Sequence, residues 1–161
     1  MDYSQYTSMR ITRRGPDDSV LDIQMLASNG KLPTAGHQGH DDLCQIWRDV
    51  DRDDSVRCAV LRGEGMGFSG GGDLSLVQDM ADNFEVRTRV WKEARELVYQ
   101  LINCDKPIVS AMHGPAVGAG LVAGLLASRQ ALSCSAADFL VSVPALTWSW
   151  SDFCSARSAL A

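Results

Sequence analysis

The feature that most restricts what this chain can fold into is a device that it contains twice: a short apolar run, a glycine-rich turn, and a segment patterned as a helix. The first copy is CAVLRGEGMGFSGGGDLSLV, residues 58–77, and the second is PIVSAMHGPAVGAGLVAGLLA, residues 107–127. Six glycines fall within residues 63–72 of the first copy alone. Each costs conformational entropy on folding, so such a cluster is kept where left-handed dihedrals are needed or where another group must approach bare backbone. Two such turns, set side by side by a sheet, would offer backbone N–H groups to a single oxygen, with a helix N-terminus behind them adding partial positive charge. The same spacing also suits two plain strand-to-helix connections, and the pattern alone does not choose between them.

The surrounding pattern predicts an α/β architecture. SMRITRR and SVLDIQML flank the turn signal Gly15-Pro16-Asp17-Asp18 and read as a β-hairpin, with Arg10, Arg13 and Arg14 as strand-edge charges. Leu43, Ile46, Trp47 and Val50 recur at helical spacing, and DRDD at residues 51–54 is expected to close that helix with exposed charge. Val90, Ala94, Leu97, Val98 and Leu101 mark a second amphipathic helix ending before Lys106-Pro107. RCAVLRG and PIVSAM are short buried strands, and GAGLVAGLLAS is a small-residue helix. Strands alternating with helices of this length indicate α/β layers. With 161 residues, 45% of them apolar, the chain is long enough for one domain with a real core.

Charge and cysteine usage narrow the partners. A formal charge of -5 argues against nucleic acid or an anionic membrane, both of which need a basic face. The five cysteines (Cys44, Cys58, Cys104, Cys134, Cys154) are odd in number and lack a C-x-x-C pair, which fits free thiols in a reducing, cytoplasmic compartment. MDYSQYTSMR has no apolar region of a secretory signal. Residues 107–127 carry no formal charge apart from His113, but His113-Gly114-Pro115 would break a membrane helix at its middle. His37-x-x-His40 with Asp41 and Asp42 is read as a solvated helix face rather than a metal cluster. Gly118-x-Gly120 followed by Gly124 departs from the dinucleotide spacing, no G-K-[S/T] is present, and Ser69 lacks a G-x-S-x-G context.

The two turns together resemble the signatures of the enoyl-CoA hydratase/isomerase (crotonase) superfamily. FSGGGDL is similar to the family's Phe-(Ser/Ala)-(Ala/Gly)-Gly-x-Asp-Leu segment, and KPIVSAMHGPAVGAGL to its second signature. The likeness runs from about Met9 to Ala127 and takes in LDIQMLASNGKL and IWRDVDRDDSVRCAVLRG. The resemblance implies a crotonase-like superhelix of repeated ββα turns, here as its N-terminal core. It implies an acyl thioester of coenzyme A as substrate, with no cofactor beyond the CoA that the substrate carries. Its two oxyanion-hole donors would be the backbone N–H groups of Gly70 and Ala119. Phe68, Ser69, Gly71 and Gly72 would line the passage of the CoA arm, Lys31 and Leu32 would lie toward its nucleotide end, and Asp73 and Gly118 would complete the binding loops. Asp73 would more often cap or brace its loop than act on substrate. A trimer-based homo-oligomer is also implied.

The departures bear on the reaction. Hydration needs a general base and a general acid, and the family's first carboxylate falls at Val122. The second is expected in a Pro-Glu context, where this chain has Val143-Pro144-Ala145. Asp138 and Asp152, the acidic residues beyond Gly120, align with neither. From Ser128 onward serine, alanine and tryptophan dominate, which divides the chain into an acyl-CoA-binding core at residues 1–127 and an atypical tail at residues 128–161. This is the composition expected of a truncated or frame-shifted member. The sequence therefore predicts hydration or isomerisation of an unsaturated acyl-CoA, and as its rival a non-catalytic remnant that binds acyl-CoA without turning it over.

Overall fold

A computed structural model describes residues 1–27 and 30–133. The tail from Cys134 onward, with Asp138, Val143-Pro144-Ala145 and Asp152, lies outside the described residues, whereas the boundary drawn at Ser128 falls inside the last described helix, Ala119–Ser133. The elements are β1 (Met9–Arg14), β2 (Val20–Met25), α1 (His37–Arg52), β3 (Cys58–Gly63), α2 (Leu74–Asp82), α3 (Phe84–Asn103), β4 (Ile108–Ala111) and α4 (Ala119–Ser133), with a short 3₁₀ turn at Pro16–Asp18 inside the hairpin. The sheet has four strands in the order β1-β2-β3-β4. β1 and β2 pair antiparallel, as the hairpin pattern predicts, and β2–β3 and β3–β4 pair parallel. Parallel neighbours place both strand-to-helix turns at the same edge of the sheet, which is what the doubled device requires.

The core forms where α1, α3 and α4 pack together against the sheet. Leu21, Ile23, Ile46, Trp47, Val50, Ala59, Leu61, Leu101 and Ile108 are all fully buried. The stripe predicted for α1 is thus the face it buries, and α3 buries Val90, Leu97 and Leu101 as its spacing predicts. Burying a Leu, Ile or Val side chain contributes about 1.5–3 kcal/mol, and this cluster is what holds the helices to the sheet. The segment at residues 107–127 is not one helix: it divides into β4, a turn and α4, and none of the described helices is long and apolar enough to cross a membrane. Cys44, Cys58 and Cys104 are buried free thiols. Burial, reinforced by the Glu93 charge, pushes the Cys44 thiol up to about 12, and burial lifts Cys104 to about 11.

The DRDD segment corrects the exposed-charge expectation. Asp53 is 5% exposed. Its carboxylate accepts from Arg13 at 2.6 Å, Tyr3 at 2.9 Å, and the Ser55 N–H and hydroxyl at 3.1 and 2.5 Å. Lys106 Nζ donates to its backbone carbonyl. A second buried carboxylate, Asp22 on β2, holds Arg14 at 2.6 Å and Arg62 at 2.7 Å, so two of the strand-edge arginines are ion-paired to buried acids. Burial alone would raise the Asp53 pKa, but the hydrogen bonds from Ser55, Tyr3 and Arg13 outweigh it and hold the carboxyl well below the usual range. A depressed pKa stabilises the fold above the unfolded aspartate value of about 4, and that stability is lost as pH falls toward the folded value. Urea unfolding as a function of pH should therefore show stability falling below about pH 4. Asp53→Asn should destabilise by about 2–4 kcal/mol at neutral pH and flatten the acid side of the profile.

Candidate functional site

The two glycine turns lie against each other. Ser69 forms an isolated parallel bridge with Ala116, the N–H groups of Phe68 and Ser69 both donate to the Pro115 carbonyl at 2.9 and 3.1 Å, and the Val117 N–H donates to the Ser69 carbonyl at 2.9 Å. A second bridge, Ala35 with Gly72, ties the first turn to the loop before α1. Two positions explain why glycine is needed. Gly71 has φ 83° and Gly118 has φ 59°, and a side chain in either place would be strained. Gly71 and Gly118 also face each other closely, since a Cβ on Gly118 would lie 3.6 Å from the Gly71 Cα.

The two expected donors differ. Ala119 is the first residue of α4, a helix of 15 residues. The N–H groups of Ala119, Gly120 and Leu121 have no acceptor among the described residues, and the first bond onto the preceding turn is Val122 N–H to the Gly118 carbonyl at 3.2 Å. They are the orphan donors that every helix start presents. The Gly70 N–H, by contrast, donates to the Pro33 carbonyl at 2.7 Å. In this structure its hydrogen is used within the protein.

Other expected site residues sort by what holds them. The Phe68 ring, expected along a CoA passage, is fully buried in the core, so only its backbone belongs to the turn. Asp73 is the N-cap of α2: its Oδ1 accepts from the Ser75 N–H at 2.9 Å, the Ser75 hydroxyl at 2.6 Å and the Leu76 N–H at 3.1 Å. The Ser75 hydroxyl and the Leu76 N–H lower its pKa, as a carboxylate occupied in capping requires. The Lys31 side chain is exposed, and its carbonyl accepts from the Met66 N–H at 2.7 Å. Leu32 is half-buried and packs over the first turn, where a Cβ on Gly67 would lie 2.7 Å from its Cδ1. Gly72 and Gly118 are exposed and Gly71 is buried. Val122 is 42% exposed, beside exposed Leu121 and Leu125 on the same helix.

Sequence reasoning missed His40. The helix face that carries it was read as solvated, yet His40 is 6% exposed and Asp42 3%. His40 Nδ1 lies 2.7 Å from Glu93 Oε2 on α3, and Asp42 accepts from the Ser8 N–H and hydroxyl at 3.0 and 2.7 Å. No metal-ligating cluster occurs among the described residues. A signal was available, because extending the Leu43, Trp47, Val50 stripe back by three residues reaches His40, and Glu93 falls on the buried face of α3 between Val90 and Leu97. His40, Ser69, Gly71, Gly72, Ala119 and Gly120 all line one cavity of about 40 Å³, floored by Met25 and Leu43. A larger groove, about 500 Å³, lies elsewhere, on the outer face of α3 along Phe84, Arg87 and Trp91, and includes no residue of either turn. The lacing of the turns has a testable cost. Gly114 has φ 55°, and a Cβ there would overlap the Met66 carbonyl oxygen. Gly114→Ala should destabilise the protein by about 1–3 kcal/mol in urea unfolding.

Comparison with known proteins bears on all of this. The model of the enoyl-CoA hydratase/isomerase family matches residues 19–143. The chain is 30% identical over 127 residues to a 1,2-epoxyphenylacetyl-CoA isomerase of Escherichia coli, covering 74% of this chain and 48% of that protein. It is 31% identical over 107 residues to an enoyl-CoA hydratase of Alternaria alternata, covering 66% of this chain and 36% of that one. A 4-chlorobenzoyl coenzyme A dehalogenase of Arthrobacter is 37% identical over 107 residues, 65% of this chain and 38% of the relative. Among solved structures, an enoyl-CoA hydratase/isomerase from Mycobacterium paratuberculosis superposes with a TM-score of 0.69 at 27% identity, over 77% of this chain and 48% of that one. The chain thus spans half or less of the length of these relatives. With the family model matched across most of the chain and the same fold in the solved relative, the chain belongs to the enoyl-CoA hydratase/isomerase family.

Proposed function

We propose that the chain binds an acyl thioester of coenzyme A across the two laced turns and polarises its carbonyl for hydration or isomerisation of an unsaturated acyl group. The observation that carries this reading is the unpaired Ala119 N–H at the start of α4, beside the Ser69–Gly72 turn. An anion developing on the thioester oxygen gains both from that donor and from the partial positive charge of the helix start. Gly70 supplies the second donor when substrate displaces the Pro33 carbonyl, or when its N–H is shared between the two oxygens. A cavity of about 40 Å³ admits only the reacting end of such a ligand. The CoA arm therefore runs over the exposed Gly72, Val117 and Gly118 surface toward Lys31 and Leu32. The buried free thiols suit the reducing cytoplasm, and a trimer-based assembly is the form in which the family fold would complete this open wall.

A second reading, a binder without turnover, is favoured by one specific observation. Val122 stands where the family's first carboxylate would be, and no carboxylate accompanies it on α4 among the described residues.

One substitution tests the donor. Ala119 occupies the first position of a helix, where proline is tolerated and removes only the N–H. The unaltered chain, titrated calorimetrically with crotonyl-CoA, should bind it and shift the thioester absorbance to the red. Ala119→Pro should keep the fold by circular dichroism, abolish the red shift, and lower any turnover about 100- to 1,000-fold. A red shift that survives in Ala119→Pro would remove this donor from the site, and a chain that does not bind crotonyl-CoA would overturn the acyl-CoA reading itself.

A further inference from the structure

We propose that His40, oriented by Glu93, is the proton-transferring residue of this site, acting on a water molecule in the cavity it shares with Ser69 and the start of α4. The inference rests on the acyl-CoA reading above and supplies what Val122 cannot.

A carboxylate only accepts hydrogen bonds, so the 2.7 Å contact with Glu93 Oε2 requires a hydrogen on Nδ1, and in the neutral ring the lone pair is then on Nε2. Glu93 is itself fixed, with Arg89 Nε 3.3 Å from its other carboxylate oxygen. Nε2 has no hydrogen-bond partner among the described residues, and it is not sealed among the buried polar atoms that lack one. His40 lines the cavity, and proton transfer requires Nε2 to reach a water molecule there. That cavity, about 40 Å³, exceeds the roughly 10–15 Å³ that a water molecule needs. Its polar lining is suitable: the Ser69 hydroxyl accepts from the Gly71 N–H at 3.1 Å and still has its own hydrogen to donate, and the Ala119 and Gly120 N–H groups are unpaired.

The carboxylates near this end of the fold are otherwise occupied. Asp73 caps α2, Asp42 binds Ser8 and Gln38, and His37 holds Asp79 at 2.8 Å. Among the residues that line the cavity, His40 is the one with an ionisable side chain, and Glu93 stands behind it. In the hydration of a 2,3-unsaturated acyl thioester, Nε2 takes a proton from the water as the water oxygen bonds to the β-carbon. The π pair moves toward the thioester oxygen held by Ala119. The imidazolium, stabilised by Glu93, then gives its proton to the α-carbon as the enolate collapses. One water is added, the ring returns to neutral, and no other reactant is consumed. Glu93 acts through His40 and is a positioning residue.

The test uses crotonyl-CoA, with binding measured calorimetrically and hydration by loss of the enoyl absorbance. His40→Gln can retain a bond to Glu93 and should bind within about threefold of the unaltered chain while kcat falls about 100-fold or more. His40→Ala should regain part of that loss when free imidazole is added. Glu93→Gln should lower kcat about tenfold with KM little changed, whereas His37→Gln, on the same helix but outside the cavity, should leave both as they were. A folded His40→Gln protein that hydrates at the unaltered rate overturns the proposal, as does an unaltered chain that binds crotonyl-CoA without hydrating it. Should His40→Gln not fold, Glu93→Gln decides, because an unchanged kcat there overturns the assignment. Absence of binding would instead defeat the acyl-CoA reading, and this proposal with it.

Discussion

Everything functional in this chain depends on the parallel pairing of β3 with β4. Ala59 to Arg62 lie in register with Ile108 to Ala111, and because the strands run the same way, both glycine turns leave from one edge. The side-chain period in a strand is two, so a slip of one residue would turn fully buried Leu61 and Ile108 toward solvent. Burial therefore fixes the register, and the register brings Ser69 beside Ala116. The exposed turns inherit their geometry from apolar residues that never meet a ligand.

Electrostatics adds a second layer at the opposite end of the sheet and along its face. Asp53 and Asp22 are buried carboxylates, Asp53 supplied with Arg13 and with neutral donors and Asp22 with two arginines. Buried pairs of this kind are weak evidence for net stability but strong evidence that neither partner can be removed alone. His40 and Glu93 follow the same rule, with one difference: Nε2 of the ring has no partner among the described residues. Complete pairing makes a structural group, and it is the incompletely paired ring that we assign to proton transfer.

The alternation of strands and helices, the stripes on α1 and α3, the hairpin and the doubled turn are all legible in the sequence because each depends on neighbours a few residues apart. The misreadings share a physical origin in distant partners. Asp53 looked solvated because its partners, Tyr3 and Arg13, lie 50 and 40 residues away. His40 looked like part of a polar helix start because Glu93 is 53 residues away. The bond from the Gly70 N–H to the Pro33 carbonyl, 37 residues apart, is likewise announced by nothing local. Asp73 was better read: its cap is satisfied two and three residues on, at Ser75 and Leu76, within the reach of sequence reasoning. The start of α4 was legible as a turn motif, yet only the fold shows that its N–H groups stay unpaired.

The parallel crossover also sets the order in which the molecule can assemble. The β1–β2 hairpin closes over a handful of residues, whereas pairing β3 with β4 requires α2 and α3 to be in place between them. Long loops are closed at an entropic cost that must be met before their contacts form. The laced turns are thus joined late in folding, and they are held at the start of α4 by few hydrogen bonds. An occupant bridging Ser69–Gly72 to Ala119 would therefore gain part of its effect by fastening the last seam of the sheet to be joined.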